Sequence, residues 1–362
     1  MKKILFDFIS AQGSINGGAE YTKRILEELR RREGVTLHAL FDSSLPFVGE
    51  DREKYSPYFV KWVDINKIAS IGEYCRNEGI DLFFIGIFQR YLKRNLQGIG
   101  CRSVVVIHDI LDIECRKRGL FFAFAPKYAL KTLFRRSPAA DFRNQAHFLL
   151  QEGSQVVTVS EYSKRSILKY LPFQRGKDIK VLYSPLRKAA EKRVCPPLQG
   201  KKFFLLLRAD IPNKNASAAF RAMRIFSKRH PDFYLATTGV SKRKAAWHIP
   251  LGRLSAEELE YALGSAAALL YPSFVEGFGY PPVEAMREGT AVISSNTTSL
   301  PEVVAGGGLL FSPFSARELL GCMEKVIGEG APGFSERASA RYAVLKARQD
   351  KDLEKLIKII CG

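Results

Sequence analysis

Two glutamates eight residues apart stand in a segment whose chemistry follows from residue types and spacing. The segment reads Tyr271-Pro-Ser-Phe-Val-Glu-Gly-Phe-Gly-Tyr-Pro-Pro-Val-Glu-Ala-Met286. It predicts a strand, a loop with two glycines, and a helix opened by the proline pair. N–H groups at such a helix start can bind an anion or sugar hydroxyls. We expect Glu276 at the carboxyl end of the strand and Glu284 in the first helical turn, where it could accept two hydroxyl hydrogen bonds or merely complement the helix dipole.

A second polar segment, Leu207-Arg-Ala-Asp-Ile-Pro-Asn-Lys-Asn215, follows a predicted strand and precedes a predicted helix. Arg208 and Lys214 could therefore stand together as fixed cations. Such cations stabilise the negative charge that develops on a departing diphosphate. Arginine suits bidentate phosphate contact and lysine acts as a point charge. The alternative interpretation is a helix start with ordinary solvated bases.

Two further candidates lie in the first half of the chain. The loop Gly13-Ser-Ile-Asn-Gly-Gly-Ala-Glu20 separates a predicted strand from a predicted helix. Gly17 and Gly18 would let the backbone approach a phosphate or an acceptor closely, although a tight turn alone is the alternative. His108 follows an apolar strand, and imidazole is the side chain most able to exchange a proton near neutral pH. A structural histidine is the alternative there.

These residues need a scaffold, and the chain alternates short apolar runs with amphipathic stretches, which is typical of parallel α/β units. One α/β set ends near residue 183 and a second begins at residue 203. The polar stretch 188–200, with two prolines and a glycine, predicts a linker. We therefore expect two α/β domains, at 1–187 and 188–342, with a ligand site in the cleft between them. A helix at about 343–362 is expected to pack back on the first domain.

The amino-acid composition excludes several classes of protein. The 362 residues carry 56 Lys and Arg against 37 Asp and Glu, a formal net charge of +19, and 46% of them are hydrophobic. A chain this apolar can form cores, which excludes disorder, and it has no apolar run long enough to span a bilayer. The six scattered cysteines form no C-x-x-C pair, so we expect a reducing, cytoplasmic location. Basic runs at 116–136 and 164–188 would attract polyanions, although a solvated basic face is the alternative.

The segment Glu-Gly-Phe-Gly-Tyr-Pro-Pro-Val-Glu, ending at Glu284, resembles the E-x7-E motif of the retaining GT-B glycosyltransferases of family 4 (group 1). The resemblance continues through Asn296-Thr-Thr-Ser-Leu-Pro-Glu-Val303 and Leu309-Leu-Phe-Ser-Pro313, and in the first half through Val157-Thr-Val-Ser-Glu-Tyr-Ser-Lys-Arg165. It covers most of the chain and is strongest over 250–313. It implies an α/β fold of the GT-B type, with two Rossmann-like domains facing across a cleft.

The resemblance implies a role for each matching residue. Glu284 would bind the ribose hydroxyls of a nucleotide, and Glu276 would lie near the donor sugar. Arg208 and Lys214 match the pair that binds the donor diphosphate, and His108 would orient hydroxyls near the reacting sugar. The remaining donor-binding residues would be Gly17 and Gly18 in the first domain, and Gly277, Phe278, Gly279, Thr298, Ser299 and Leu300 in the second.

The implied activity is retaining transfer of a sugar from a nucleotide-diphosphate sugar to an acceptor hydroxyl, in cell-surface polysaccharide or glycolipid synthesis. A donor phosphate oxygen would take the acceptor's proton, so Glu276 is not assigned as a nucleophile. We expect no cofactor and no essential metal, because Arg208 and Lys214 would do what a divalent ion otherwise does. Asp350-Lys-Asp352 formally matches a D-x-D metal motif, but we interpret it as solvated helix surface.

Expected partners are a nucleotide sugar, a glycan or lipid-linked sugar acceptor, and an anionic surface on the inner face of the membrane. Three alternatives stay open. A GT-B-like sugar phosphorylase or epimerase would share the architecture. A basic nucleic-acid-binding protein fits the charge, although the chain shows no recognisable nucleic-acid-binding motif. A scaffold without activity is the third. The donor base, the donor sugar and the acceptor are not specified by the sequence.

Overall fold

A computed structural model describes residues 1–13, 16–94, 96, 98–117, 138–328 and 331–362. The described chain divides into two compact units. Of the described residues, unit 1 contains 1–114, 138–187 and 348–362, and unit 2 contains 115–117 and 188–347. Most of the basic run 116–136 lies outside the described residues.

Unit 1 is built on a parallel sheet whose described strands run in the order β3-β2-β1-β4-β5-β6-β7. Because β1 pairs with both β2 and β4, the strand order reverses there, and open parallel sheets bind ligands beyond the strand ends at such a point. The strands are β1 (Lys2–Asp7), β2 (Val35–Phe41), β3 (Lys61–Asp64), β4 (Leu82–Ile85), β5 (Arg102–Val106), β6 (Ser154–Thr158) and β7 (Ile179–Val181). The helices are α1 (Gly17–Leu29), α2 (Asp51–Tyr55), α3 (Ile71–Glu78), α4 (Leu111–Lys117), α5 (Pro138–Asn144), α6 (Ala146–Leu150) and α7 (Glu161–Tyr170).

Unit 2 repeats this plan with described strands in the order β10-β9-β8-β11-β12-β13, all parallel. The strands are β8 (Lys202–Leu206), β9 (Phe233–Thr238), β10 (His248–Gly252), β11 (Ala268–Tyr271), β12 (Ala291–Ser295) and β13 (Leu309–Phe311). The helices are α8 (Ala216–Phe226), α9 (Ala256–Ser265), α10 (Tyr280–Arg287), α11 (Leu300–Val304), α12 (Ala316–Gly328) and α13 (Ala331–Cys361), the last of which extends into unit 1.

The strands form where the sequence has continuous apolar runs because each sheet is covered on both faces. Phe83 and Phe84 are neighbours on β4, point to opposite faces, and are both fully buried. Phe203 and Phe204 do the same on β8. The predicted α/β class is confirmed. The short strands β3 and β10 were not predicted, because each lies at a sheet edge and carries little apolar signal.

Two helices begin earlier than the sequence pattern predicts. The first was expected from residue 20, but α1 begins at Gly17, because the Asn16 side chain caps it by accepting a hydrogen bond from the Ala19 N–H at 2.9 Å. Gly17 and Gly18 therefore form the first turn of a helix and are not part of the loop. The second, α10, begins at Tyr280, which places Glu284 in the second turn and corrects the predicted first-turn position.

The end of α13 belongs to unit 1. Asp352 is fully buried there, accepts a hydrogen bond from the Tyr183 backbone N–H at 3.1 Å, and pairs with Arg348. Lys2 Nζ donates to the Cys361 carbonyl at 2.9 Å. The interpretation of Asp350-Lys-Asp352 as solvated surface is therefore wrong for Asp352, since that carboxylate anchors the helix. Among the described helices, none combines the length and apolar character needed to cross a membrane.

Candidate functional site

The central feature of unit 2 is a close ion pair at the carboxyl end of its sheet. Lys214 ends a short 3-10 helix after β8, and its Nζ lies 2.6 Å from Glu276 Oε1. The same nitrogen donates to the Tyr271 hydroxyl at 2.7 Å. The two charged side chains are only 14% and 13% exposed, so the pair is held where solvent screens it weakly.

The position of Lys214 is set by its neighbour. Asn215 is buried and adopts a left-handed backbone conformation with φ of 52°, which asparagine tolerates better than most residues. Its amide nitrogen donates to the Pro272 carbonyl at 3.2 Å and to the Pro313 carbonyl at 2.7 Å. One buried amide thus ties the lysine segment to the loops that follow β11 and β13.

The loop after β11 is held against the start of α11. The Glu276 N–H donates to Thr298 Oγ1 at 3.0 Å, and the Ser299 hydroxyl lies within 3.0 Å of the Glu276 carbonyl and 2.9 Å of the Phe278 carbonyl. Gly279 has φ of 113°, and a Cβ there would lie 2.9 Å from Leu300 Cδ2. The structure therefore brings together one group of predicted donor-binding residues, namely Lys214, Glu276, Gly277, Phe278, Gly279, Thr298, Ser299 and Leu300.

Glu284 lies on α10, which continues from this loop, and its side chain is largely buried, with the residue 6% exposed. The helix is fixed at its far end, where Arg287 pairs with the buried Glu260 and with Glu288, whose other oxygen lies 2.7 Å from Lys192 Nζ. A second-turn position is poorly placed to complement the helix dipole, which acts mainly on the first turn. That weakens the dipole-only alternative for Glu284.

Arg208 stands apart from the lysine–glutamate pair. Its side chain is half exposed and makes a two-pronged contact with Asp210, at 3.1 Å from Nε to Oδ1 and 3.2 Å from Nη2 to Oδ2. The hydrogen bond from Arg208 holds the pKa of Asp210 below its usual range. Because Arg208 itself has φ of 56°, the backbone that aims this guanidinium is strained. The structure thus presents Arg208 in the fork geometry that a phosphate would use, occupied by a carboxylate.

In unit 1 the predicted residues meet around Gly86, the residue after β4. A Cβ at Gly18 would lie 2.6 Å from Ile87 Cδ1, and a Cβ at Gly86 would lie 2.4 Å from Thr22 Oγ1. The first turn of α1 therefore packs directly on the β4 loop. The Gly86 carbonyl lies 3.0 Å from His108 Nε2. Gly17, Gly18 and His108 are thus brought to one place, at the point where the strand order reverses.

His108 is held as a neutral ring. Burial lowers its pKa to about 4, although the hydrogen bond with Gly86 partly opposes that shift. The ring also packs edge-on against Tyr21 of α1, with centroids 4.8 Å apart. At pH 7 the imidazole is therefore uncharged. That state suits the predicted role of His108, which is to orient hydroxyl groups.

Three supporting residues were not singled out from the sequence. Asp7 is fully buried at the end of β1 and accepts hydrogen bonds from the Ser10 and Gly86 N–H groups, each at 3.0 Å, from the Tyr91 hydroxyl at 2.6 Å, and from the Ser10 hydroxyl. The other two are Tyr271 and Asn215. A carboxylate at the end of an apolar strand and an asparagine flanking a lysine are the available signals, but neither reveals its partners, which come from distant segments.

The described residues contain no group of three His, Cys, Asp or Glu side chains placed to hold a metal ion. The site in unit 2 can hold an anion with Lys214 and Arg208 and can hydrogen-bond hydroxyl groups with Glu276 and Glu284. The site in unit 1 offers backbone N–H groups at the start of α1 and a neutral imidazole.

Residues 188–343 match the family model of glycosyl transferases group 1. The O-antigen chain mannosyltransferase B of Escherichia coli is 28% identical over 245 residues, which is 62% of this chain and 59% of that protein. The serotype-specific mannosyltransferase WbdA of Escherichia coli is 39% identical over 262 residues, 64% of this chain and 30% of that protein. The chain therefore matches between about a third and three fifths of the length of these curated relatives.

Solved structures match nearly the whole chain. Anabaena HepE in complex with UDP and glucose aligns with a TM-score of 0.69 at 15% identity, over 99% of both chains. WaaG, a glycosyltransferase involved in lipopolysaccharide biosynthesis, aligns with a TM-score of 0.66 at 15% identity, over 100% of both chains. These structures confirm the predicted GT-B fold, and the family model over residues 188–343 confirms the resemblance to group 1 glycosyltransferases.

Proposed function

Because residues 188–343 match the family model of glycosyl transferases group 1, we propose that the chain transfers a sugar from a nucleoside-diphosphate sugar to an acceptor hydroxyl. The observation that carries the proposal is the largely buried Lys214 ammonium, held by Glu276 and Tyr271 at the carboxyl end of the unit 2 sheet. A fixed cation at that place stabilises the charge that a departing diphosphate acquires. Glu284, largely buried eight residues after Glu276, supports the ribose-binding role.

The proposed chemistry is dissociation of the sugar–diphosphate bond followed by attack of the acceptor hydroxyl on the same face, which retains the anomeric configuration. A donor phosphate oxygen takes the acceptor's proton. Glu276 is not the nucleophile, and its ion pair with Lys214 supports this, since the carboxylate is already engaged. The neutral His108 ring orients a hydroxyl near the reacting carbon.

The proposed reaction needs no metal ion. Lys214 and Arg208 supply two positive charges, which is how a divalent ion stabilises a negatively charged leaving group in metal-dependent enzymes. Arg208 would exchange its two-pronged contact with Asp210 for one with the diphosphate. Activity that survives dialysis against a chelator is the expected result, and full recovery only on adding a divalent cation would contradict it.

The names of the relatives support a mannosyl donor and a polysaccharide acceptor, in cell-surface polysaccharide or glycolipid synthesis. Thermal-shift screening of GDP-, UDP- and ADP-sugars, with GDP-mannose and UDP-glucose among them, would identify the donor, since a ligand that binds only the folded state raises Tm. Release of the nucleoside diphosphate only when an acceptor is present would separate a transferase from a phosphorylase or an epimerase.

Substitution tests the site directly. Lys214→Ala and Glu284→Ala are expected to lose donor turnover and to weaken nucleotide binding. Lys201→Ala is the matched control, because Lys201 is exposed just before β8, at the opposite edge of the same sheet. Wild-type turnover and binding in both site variants would show that the site lies elsewhere.

We also propose that the basic run 164–188 attracts an anionic membrane surface or a phosphorylated lipid acceptor. Arg165 and Lys169 on α7 and Arg175 just after it are exposed, so their charge is available to a partner. Two other bases of the run are engaged locally, Lys180 with Asp178 at 2.9 Å and Lys177 with the Gln151 carbonyl at 3.2 Å. Each basic side chain near an anionic surface contributes about 1 kcal/mol.

Flotation with vesicles of phosphatidylglycerol and phosphatidylcholine tests this surface. The wild type should float with the mixed vesicles at low salt and be released by salt, and the triple variant of Arg165→Glu, Lys169→Glu and Arg175→Glu should float less. Pure phosphatidylcholine vesicles are the control. Equal flotation of the two proteins would remove this run from the proposal.

A further inference from the structure

Tyr271 is the last residue of β11, and its side chain is buried, with the residue only 1% exposed. Its hydroxyl accepts a hydrogen bond from Lys214 Nζ at 2.7 Å, and the same nitrogen donates to Glu276 Oε1 at 2.6 Å. We propose that Tyr271 is a positioning residue of the donor site, whose hydroxyl holds Lys214 and Glu276 in the arrangement that receives the diphosphate. This inference rests on the proposed function.

The hydroxyl fits this role because its oxygen can accept a hydrogen bond from an ammonium. A lysine ammonium has three N–H donors and no acceptor, and a carboxylate only accepts. The phenol accepts from Lys214, and Lys214 also donates to Glu276 at 2.6 Å, so the ammonium is held between the two oxygens. A phenylalanine at 271 would leave the same ring and remove one of the two hydrogen bonds that hold the ammonium.

These two hydrogen bonds leave the ammonium able to bind a ligand. Within the part of the chain that the structure describes, Tyr271 and Glu276 take two of the three Lys214 N–H groups. The third can meet a phosphate oxygen while the first two keep the nitrogen in place. Binding then needs no rearrangement of the lysine, which is the advantage of a preorganised electrostatic site.

The phenol keeps its proton at any pH at which the protein would act. Burial, followed by the negative charge of Glu276, raises the pKa of Tyr271 well above its usual value. The neutral hydroxyl therefore accepts the hydrogen bond from Lys214 throughout that pH range. The pH dependence of turnover is expected to be the same in the wild type and in Tyr271→Phe, so any difference between them lies in rate and not in a titration.

Tyr271→Phe tests the proposal, with Tyr234→Phe as the matched control. Tyr234 lies near the start of β9 and packs its ring under Lys201, a contact that phenylalanine keeps. We expect Tyr271→Phe to lower kcat about tenfold with a KM for the donor within about threefold of wild type, because the lost contact matters most when diphosphate charge develops. Tyr234→Phe should keep the wild-type kcat and KM.

A double-mutant cycle with Lys214→Met separates positioning from a general structural effect. If Tyr271 acts through Lys214, Tyr271→Phe should have little further effect on the residual turnover of Lys214→Met. The same cycle on urea unfolding without any ligand should also show coupling between the two residues.

Wild-type kcat in Tyr271→Phe, or an equal fold-loss with and without Lys214, would overturn the positioning role. A wild type that turns over none of the screened nucleotide sugars would refute the proposed function and, with it, the positioning of a donor. In that case the unfolding cycle still decides whether Tyr271 holds Lys214. Additive effects on the free energy of unfolding would reject the contact as well. Coupling would show that the contact stabilises the fold but has no part in donor binding.

Discussion

The two units place different chemistry at the carboxyl ends of their parallel strands. Unit 2 presents charge: Lys214 with Glu276 and Arg208 with Asp210, all at least partly exposed to solvent. In unit 1 the predicted site offers the first turn of α1 and the neutral ring of His108, and the nearby carboxylate of Asp7 is fully buried beneath them. One scaffold plan therefore provides an anion site in one unit and uncharged hydrogen-bonding groups in the other.

The two units also differ in how many non-glycine residues have a positive φ. Among the described residues, all four non-glycine residues with positive φ belong to unit 2, and three of them are Arg208, Asn215 and Thr298. Strain of this kind costs about 1–3 kcal/mol for each residue and persists only where the surroundings enforce it. In unit 1 the described residues with positive φ are all glycines, for example Gly13 with φ of 83°. Unit 2 thus holds the charged Arg208 in a strained backbone conformation, whereas the described residues of unit 1 show no non-glycine residue in that conformation.

The largest expected effect tests the contrast between charged groups in unit 2 and uncharged groups in unit 1. It compares one substitution from each unit. Lys214→Met keeps the length of the side chain and removes its charge, and we expect kcat to fall about 10³-fold, or about 4 kcal/mol in the activation barrier. His108→Gln keeps a hydrogen-bonding side chain, and we expect a loss of only about tenfold. Steady-state kinetics with the identified donor give both values. Equal losses would mean that unit 1 contributes as much to the developing charge as unit 2.

The next effect concerns stability in unit 1. Asp7 accepts four hydrogen bonds in a fully buried place, so Asp7→Asn replaces one acceptor oxygen by a donor that faces other donors. We expect a loss of about 3 kcal/mol in the free energy of unfolding, measured in urea. Asp232→Asn is the control, because that exposed carboxylate contacts only Lys202 in the described hydrogen bonds. A change below about 1 kcal/mol for Asp7→Asn would show that the buried group is already protonated or solvated.

A smaller effect follows from the pKa of His108. Because burial holds that pKa near 4, below its unfolded value, the unfolded chain binds more protons between about pH 6.5 and 4. The stability that His108 contributes is therefore complete above pH 6.5 and is lost as the pH falls toward 4. His108→Gln should flatten the stability profile by about 1–2 kcal/mol between pH 7 and pH 5, measured by urea unfolding at each pH. Parallel profiles would show that folding does not lower the pKa of His108.

The smallest effect belongs to the exposed pair in unit 2. Asp210→Asn should change the free energy of unfolding by less than about 0.5 kcal/mol, because exposed ion pairs contribute little. It should lower the donor KM by about two- to threefold, since Arg208 would no longer exchange a carboxylate for the diphosphate. Kinetics and urea unfolding of the same variant measure both. A raised KM would mean that Asp210 aims Arg208 at the donor and does not compete for it.

The sequence predicted the alternation of strands and helices well, because both sheets are covered on two faces and their strands read as continuous apolar runs. It did not predict β3 and β10, which are short edge strands. It placed Gly17 in a loop because a glycine pair suggests a turn, and it could not weigh the Asn16 cap against that signal. Boundaries depend on such local hydrogen bonds, which a periodic pattern does not carry.

Some site residues could likewise be predicted from local sequence patterns, and others could not. Lys214, Glu276 and Glu284 could be predicted from the sequence because each is a charged residue in a short local motif. Tyr271 and Asn215 were not, because a buried tyrosine and a buried asparagine look the same in sequence whether they fill a core or hold an ion pair. Their partners lie 57 and 98 residues away along the chain.

The sequence by itself determined the α/β class and the types of charged groups that could meet a nucleotide sugar, since apolar periodicity and local motifs are written in consecutive residues. Only the tertiary structure decided which charges are paired, which strand end buries Asp7, and that His108 is neutral. The physical reason is that pairing energies and pKa values depend on distance and solvent exposure between segments far apart in the chain. Those distances and exposures are set only when the chain folds and distant segments come together.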